Sequence, residues 1–368
     1  MALVKIVSTA YDKNMSTIST SSTIPPMHAE LRPSVQVPPF VPHPFLWGGH
    51  AQTLGGLFLP AGKYPYRATR HVVDLVGEDQ TVLHDDCPSS WGKGNRCALL
   101  IHGLSGSHAS GYMERISAKM NERGLRTFRM DLRGCGGARR LSRLPYHSGQ
   151  SEDAVACLEK IEALCPGSPV TVVGFSLGGN IVLKMLGECG QHVPSGLDSG
   201  ISVCPPIDLF RCVKHSQRPS NRLYDRYFVR ALLKEVQSRQ LDMPGSPFIH
   251  FSPWPRSIYE FDEQYTAPLA GFGTADNYYF RCSSAPLIKQ IRFPTLILTA
   301  ADDPLIPVDM FERVTFPACV ELLVAPSGGH LGFVGSGGND PDRRWLDWRV
   351  LEWILQRLPH AKVNSQNN

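Results

Sequence analysis

Along most of the chain, short apolar runs alternate with longer segments whose apolar residues recur at helical spacing. Such runs are typical of buried parallel strands, because both faces of these strands are covered. The predicted strands are residues 97–101, 126–130, 170–173, 201–204, 294–299 and 319–324. The predicted crossover helices are residues 112–123, 150–164 and 179–187. The alternation predicts an α/β fold with a doubly wound, mostly parallel sheet.

The alternation of predicted strands and helices changes at three places. Residues 71–75 and 80–84 predict a leading antiparallel pair, and an amphipathic pattern from Trp345 onward predicts a closing helix. Between 206 and 290 the alternation stops, and the chain becomes rich in Arg, Tyr, Phe and Pro. We therefore predict a core of residues 36–205 and 291–360 with a cap insertion at 206–290. Residues 1–35, rich in Ser, Thr and Pro over 14–26, and residues 361–368 are predicted to be tails.

Composition narrows the classes of function. The net charge of +4 argues against a nucleic-acid partner, which would require concentrated Lys and Arg. No run of about 18 apolar residues predicts a membrane span, so we expect a cytoplasmic protein. The ten cysteines include no CxxC pair and no zinc-finger spacing, and we expect reduced, mostly buried thiols. Because no P-loop or HExxH motif occurs, we expect no metal and no organic cofactor.

The strongest chemical signal is GFSLG at 174–178, which lies between a predicted strand and a predicted helix. A sharp strand-to-helix turn of this kind exposes its serine as a nucleophile, and it needs small flanking residues to avoid collisions. Taken alone, the motif is also compatible with an ordinary Gly-rich turn. Its position favours Ser176 as the nucleophile.

A serine nucleophile requires a base and an acid that orients the base. Asp302 and Asp303 follow the predicted strand at 294–299, and His330 follows the one at 319–324. The order Ser, Asp, His is one in which triads with a serine on such a strand-to-helix turn occur. We predict His330 as the base and Asp303 as the acid, because the residue before a proline is held extended. Asp302 is the alternative acid and is otherwise a turn residue.

The oxyanion of an ester transition state needs two preorganised donors. We predict the backbone N–H of Leu177 and, in the loop after the strand at 97–101, the backbone N–H of Leu104. His102 is predicted to support that loop. The aromatic-rich insertion at 206–290, including Tyr278, Tyr279 and Phe280, is predicted to form the acyl pocket and its cover together with the segment 40–59. The alternative is a purely structural cap without contact to the substrate.

Several motifs occur in one order along the chain, and together they are more specific than GFSLG. They are GHAQTL (49–54), HGLSGS (102–107), FRMDLRGCGG (128–137), GFSLGGN (174–180), EFDE (260–263), TAPL (266–269) and GGHLGF (328–333). From about Phe40 onward the chain resembles the YheT-like branch of the α/β-hydrolase superfamily. The resemblance implies a serine hydrolase that cleaves carboxylic esters, with Ser176, Asp303 and His330 as its triad.

Eukaryotic members of that branch include enzymes that hydrolyse or form medium-chain acyl esters, and some that act on phospholipids. The resemblance therefore implies a small-molecule acyl ester as the substrate and a role in lipid metabolism. Two alternatives stay open: an acyltransferase that forms esters from an alcohol, and a non-catalytic binding module on the same fold. The sequence does not determine the acyl length, the head group or the oligomeric state.

Overall fold

The computed structural model describes residues 38–357, except 61, 63, 190–192, 244 and 248. The two predicted tails, 1–35 and 361–368, lie outside these residues. The strands form one eight-stranded sheet in the order β1-β2-β4-β3-β5-β6-β7-β8. They are β1 (Thr69–Asp74), β2 (Gln80–Asp86), β3 (Cys97–Ile101), β4 (Arg126–Met130), β5 (Val170–Phe175), β6 (Leu197–Val203), β7 (Thr295–Ala300) and β8 (Val320–Ala325).

The helices flank this sheet and fill the segment between β6 and β7. They are α1 (Gly48–Phe58), α2 (Gly111–Glu122), α3 (Ser151–Leu164), α4 (Leu177–Glu188), α5 (Leu209–Ser216), α6 (Arg222–Asp242), α7 (Ile258–Phe261), α8 (Ala267–Leu269), α9 (Ala275–Cys282) and α10 (Trp345–Leu355). A π-helical turn at Asp262–Thr266 joins α7 to α8. The predicted α/β class and mostly parallel sheet are confirmed. The domain bounds stay a prediction.

The pairing of the strands agrees with their apolar patterns. β1 and β2 are antiparallel, as predicted, and β2 is antiparallel to β4, whereas the remaining neighbours are parallel. β3 and β5, in the middle of the sheet, are buried at every residue. Both faces of these strands are therefore covered by helices, which explains their continuous apolar runs.

The largest difference between a predicted and an observed strand start is in β6. β6 starts at Leu197 instead of residue 201. The additional residues include Ser199, whose fully buried hydroxyl lies 2.9 Å from Thr171 Oγ1 on β5. A hydrogen-bonded pair of hydroxyls can be buried inside a sheet at little cost, so this part of the strand lacks an apolar signature.

The parallel register brings several strand ends to one edge of the sheet. Ile101 at the end of β3 pairs with Gly174 of β5, and Phe175 pairs with Val203 at the end of β6. Ala300 and Ala325 pair at the ends of β7 and β8. The loops that follow β3, β5, β7 and β8 therefore converge, as expected for a ligand site in an open α/β sheet. No helix in the described part of the chain is long and apolar enough to cross a membrane.

Candidate active site

Ser176 lies on a sharp turn between β5 and α4. Its backbone has φ 52° and ψ −119°, a conformation that side chains rarely adopt, and such strain is common at functional sites. A Cβ atom added at Gly174 would lie 2.2 Å from the carbonyl oxygen of Gly178. One added at Gly178 would lie 2.5 Å from the carbonyl oxygens of Ile101 and His102. Both flanking positions therefore require glycine, as the motif predicts.

The predicted base and acid form a line of hydrogen bonds with this serine. His330 Nε2 lies 2.9 Å from Ser176 Oγ, and His330 Nδ1 lies 2.8 Å from Asp303 Oδ2. The Asp303 side chain is fully buried, and that of His330 is 9% exposed. In this arrangement Nδ1–H donates to the carboxylate, which leaves Nε2 to accept the serine proton.

The two neighbouring aspartates have different hydrogen-bond partners. Asp303 Oδ1 accepts from the backbone N–H groups of Leu305 and Ile306, at 2.8 and 3.1 Å. Its second oxygen is thereby aimed at His330. Asp302 Oδ1 instead accepts from the backbone N–H of Gly329, at 2.9 Å. Asp302 thus ties the loop after β7 to the loop after β8 and does not contact the imidazole nitrogens.

Helix α1 holds the loop that carries His330. The backbone N–H of His330 donates to Thr53 Oγ1 at 2.8 Å, and that hydroxyl donates to the Gly49 carbonyl at 2.7 Å. Gln52 is fully buried and exchanges two hydrogen bonds with the backbone of Val334. The GHAQTL segment is therefore a support for the histidine loop. No residue of 40–59, a segment that the structure describes in full, lines the cleft beside Ser176, so this segment does not contribute to the wall of the pocket as predicted; its part in the cover stays a prediction.

Three consecutive backbone N–H groups follow β3 beside the serine. The Gly103 N–H donates to Tyr112 Oη and the Ser105 N–H to Tyr146 Oη, both at 2.9 Å. Among the described residues, the Leu104 N–H between them has no acceptor, and neither has the Leu177 N–H at the start of α4. A Cβ atom on Gly103 would lie only 3.1 Å from Ser176 Cβ, so the loop after β3 contacts the turn between β5 and α4. These two free donors are the ones predicted for the oxyanion.

A cleft with an empty volume of about 1050 Å³ opens beside Ser176, Leu104 and His330. Its walls come mainly from the segment between β6 and β7, and most of them are apolar. Wall residues from that segment include Leu209, Val213, Phe228, Leu232, Val236, Ile258, Phe261, Tyr265, Tyr278 and Tyr279. Tyr278 and Tyr279 were predicted here, whereas Phe280 points elsewhere and is 80% exposed.

Two carboxyl groups also line the cleft. Burial raises the pKa of Asp262 to about 6, and its Oδ2 accepts a hydrogen bond from Tyr279 Oη at 2.7 Å. Burial likewise raises the pKa of Glu235, which accepts from Tyr146 Oη at 3.3 Å. Burial therefore favours the uncharged forms of these two carboxyl groups. The buried Arg239 also lines the cleft, but most of the wall is apolar, which suits an uncharged acyl chain.

Sequence reasoning missed Tyr112, Tyr146 and Thr53, which position the loops of the site. Tyr112 and Tyr146 lie outside the motifs, and Thr53 lies in GHAQTL, but no local pattern shows which backbone group each side chain contacts. His102 was predicted to be a support, and its Nε2 accepts from the backbone N–H of Leu132 at 3.0 Å. It therefore joins the loop after β3 to the loop after β4.

Two clusters in the described part of the chain contain residue types that bind metals. They are His84, His108 and Asp131, and Cys204, Asp303 and His330. In the first, both imidazoles lie 2.9 Å from Asp131 Oδ2. Burial of Asp131 opposes its ionisation, but hydrogen bonds from His108 and His84 hold the pKa of its carboxyl below the usual range. Hydrogen bonding accounts for the geometry of the first cluster and for the Asp303–His330 pair of the second.

The ten cysteines form no disulfide. Eight are buried, Cys319 is partly buried, and Cys87 is exposed. The buried Cys135, in the loop after β4, has its thiol pKa raised by burial, which makes it a poor nucleophile.

Comparison with known proteins places the chain in a family. A family model for the α/β hydrolase fold matches residues 99–336. “Putative esterase YheT” of Escherichia coli (strain K12) is 32% identical over 263 residues, which cover 71% of this chain and 76% of that protein. “Phospholipase ABHD3” of Homo sapiens is 26% identical over 304 residues, covering 80% and 73% of the two chains.

Solved structures agree on the fold. Esterase Pf2001 of Pyrococcus furiosus superposes with a TM-score of 0.53 at 14% identity, over 80% of this chain and 94% of that one. Because its sequence identity is so low, this likeness supports the fold alone. Together with the family match, the comparisons show that the chain is a hydrolase and belongs to the YheT-like branch of the α/β-hydrolase superfamily.

Proposed function

We propose that the chain hydrolyses carboxylic esters with short- to medium-chain acyl groups through a covalent ester on Ser176. The observation that carries the proposal is the line of hydrogen bonds from Ser176 Oγ to His330 Nε2, at 2.9 Å, and from His330 Nδ1 to Asp303 Oδ2, at 2.8 Å. A hydroxyl at its ordinary pKa is a weak nucleophile, and this arrangement supplies the base that activates it.

In acylation, His330 Nε2 takes the Ser176 proton as Oγ attacks the ester carbonyl. The oxyanion accepts hydrogen bonds from the N–H groups of Leu104 and Leu177, and Asp303 stabilises the imidazolium that forms. The imidazolium then gives its proton to the alcohol oxygen, and the alcohol leaves. In deacylation, water loses a proton to His330 Nε2 as it attacks the acyl carbonyl. The bond from the carbonyl carbon to Ser176 Oγ then breaks, and His330 returns the proton to Oγ, which releases the acid and the free serine.

The apolar wall of the cleft indicates that the cleft binds the acyl chain of the substrate. Each buried CH₂ contributes about 0.8 kcal/mol, so every two carbons added to a chain that fits should improve kcat/KM about tenfold. The improvement ends where the cleft is full. Names of relatives, among them a yeast protein named monoacylglycerol lipase, agree with an acyl ester as the substrate class.

The test is hydrolysis of chromogenic esters from acetyl to dodecanoyl by wild type, Ser176→Ala and Ser220→Ala. Ser220 is an exposed serine outside the cleft and provides a matched control. We expect Ser176→Ala to lose activity on the order of 10⁶-fold and Ser220→Ala to keep it. Product analysis with added alcohol separates transfer to water from transfer to an alcohol. Equal activity in wild type and Ser176→Ala would refute the proposal.

A further inference from the structure

Helix α6 has two different faces. Its inner face contributes Phe228, Leu232 and Val236 to the wall of the cleft. Its outer face carries a cation row, defined as Arg222, Arg226, Arg230 and Lys234, all exposed. Residues spaced by four advance about 40° around a helix, so the row turns through about 120° as it runs about 18 Å along the exposed surface of α6.

The cation row is not neutralised by the protein. Within the described residues, none of its four members forms an ion pair. Nearby cations do find carboxylates: Arg211 pairs with Asp309, and Arg140 with Asp242. Four like charges on one helix repel one another, which favours an anionic partner outside the chain.

Apolar side chains lie beside the row. On α6, Leu223 and Tyr227 are 76% and 53% exposed. Around the helix, Tyr227 lies between the cation row and Tyr224. Tyr224 Oη lies 3.1 Å from His50 Nδ1 of α1, and the two rings are stacked. The surface therefore continues from α6 onto α1.

Helix α1 and its approach present an apolar patch there, defined as Phe45, Trp47, Leu54, Leu57 and Phe58. All five are exposed, Phe45 at 88% and Trp47 at 77%. Trp47, Leu54, Leu57 and Phe58 fall on the same side of the helix as His50. The opposite side of α1 carries the buried Gly49, Gln52 and Gly55, and Gln52 bonds to Val334 just after the His330 loop, so the patch lies on the face of α1 turned away from that loop.

We propose that the apolar patch and the cation row together form a docking surface for an anionic lipid bilayer. Aromatic and leucine side chains enter the interfacial layer of a membrane, while flanking Lys and Arg pair with anionic headgroups. Nucleic acid would match the cations but leaves the exposed Trp and Phe side chains without a function.

The test is co-sedimentation of the full chain with vesicles of phosphatidylcholine containing phosphatidylserine, and with phosphatidylcholine alone. We expect binding to the anionic vesicles that weakens as salt rises. Each cation contributes about fivefold in affinity, so Arg222→Gln with Arg226→Gln and Arg230→Gln should weaken binding about 100-fold. Because the readout is binding, the result is independent of the esterase proposal.

A matched control removes the same charge elsewhere. Arg123, Lys289 and Arg292 are exposed and precede strands, at the opposite edge of the sheet. Their triple replacement by Gln should leave vesicle binding within about twofold of wild type. Equal losses in both triple variants, or no binding of wild type to anionic vesicles, would overturn the proposal.

A second variant tests the apolar part. Trp47→Ser with Phe58→Ser should lower binding to anionic vesicles at least tenfold, because two large side chains no longer enter the lipid. Unchanged binding would indicate that the partner is any polyanion and would overturn the proposal that it is a bilayer. A stable wild-type dimer that this variant splits, without vesicle binding, would instead identify a second copy of the chain as the occupant.

Discussion

Replacing Asp303 with Asn should disable the site by reversing one hydrogen bond. Asp303 Oδ1 accepts from the N–H groups of Leu305 and Ile306. In the variant, only the amide oxygen can satisfy these two donors, so the NH₂ group must face His330 Nδ1. That nitrogen then becomes an acceptor, and the imidazole proton moves to Nε2, where it blocks removal of the Ser176 proton.

The expected loss in kcat/KM is about 10⁴-fold, or about 5 kcal/mol of transition-state stabilisation. Stability should change little, because Asn preserves both backbone contacts of the acid loop. The measurement is the kcat/KM of a chromogenic ester for wild type and Asp303→Asn, with the melting temperature of each protein as a check on folding.

Asp302→Asn is the matched control, since it makes the same chemical change one residue earlier. Its side-chain oxygen can still accept from the Gly329 N–H, so kcat/KM should stay within about tenfold of wild type. The reasoning is refuted if Asp303→Asn keeps its activity while Asp302→Asn loses it, because the acid would then be Asp302.

Three further predictions concern the surroundings of the triad. Thr53→Val should lower kcat about tenfold by leaving the His330 N–H without its acceptor, whereas Thr53→Ser should behave as wild type. Leu232→Trp should lower dodecanoyl hydrolysis more than acetyl hydrolysis by filling the cleft, and an unchanged chain-length profile would contradict this. Burial lowers the pKa of His147 to about 4 from 6.5, so the folded protein binds fewer protons than the unfolded chain. Its stability should therefore fall by up to about 1.4 kcal/mol for each pH unit from 6.5 down to 4, and unfolding curves of His147→Gln should show a shallower fall.

The sequence predicts the sheet well because its buried strands are read from continuous apolar runs. It also predicts which residues meet: Ser176, Asp303 and His330 all follow parallel strands, and those strands end at one edge. The beginning of β6 is harder to predict, since Ser199 is buried through a hydrogen bond to Thr171. Such a pair cannot be recognised until both strands are placed.

The supports of the site could not be predicted from local patterns. Thr53 and His330 are 277 residues apart, and a single hydrogen bond over that separation leaves no periodic signal. The hydroxyls of Tyr112 and Tyr146 occupy the N–H groups on either side of Leu104, at separations of 9 and 41 residues, and these single hydrogen bonds leave no periodic signal either. The family motif at 49–54 is visible in the sequence. Its structural role, which is to hold the loop that carries His330, becomes apparent only in the fold.

The most direct test of the central claim is covalent labelling of wild type with a fluorophosphonate, followed by mass spectrometry of its peptides. An activated serine forms a stable phosphonyl ester, so the label should appear on Ser176 and should be absent from Ser176→Ala. Labelling of His330→Gln should be strongly slowed, because the base is missing. Labelling of another residue, or none on Ser176 of the folded wild type, would contradict the account.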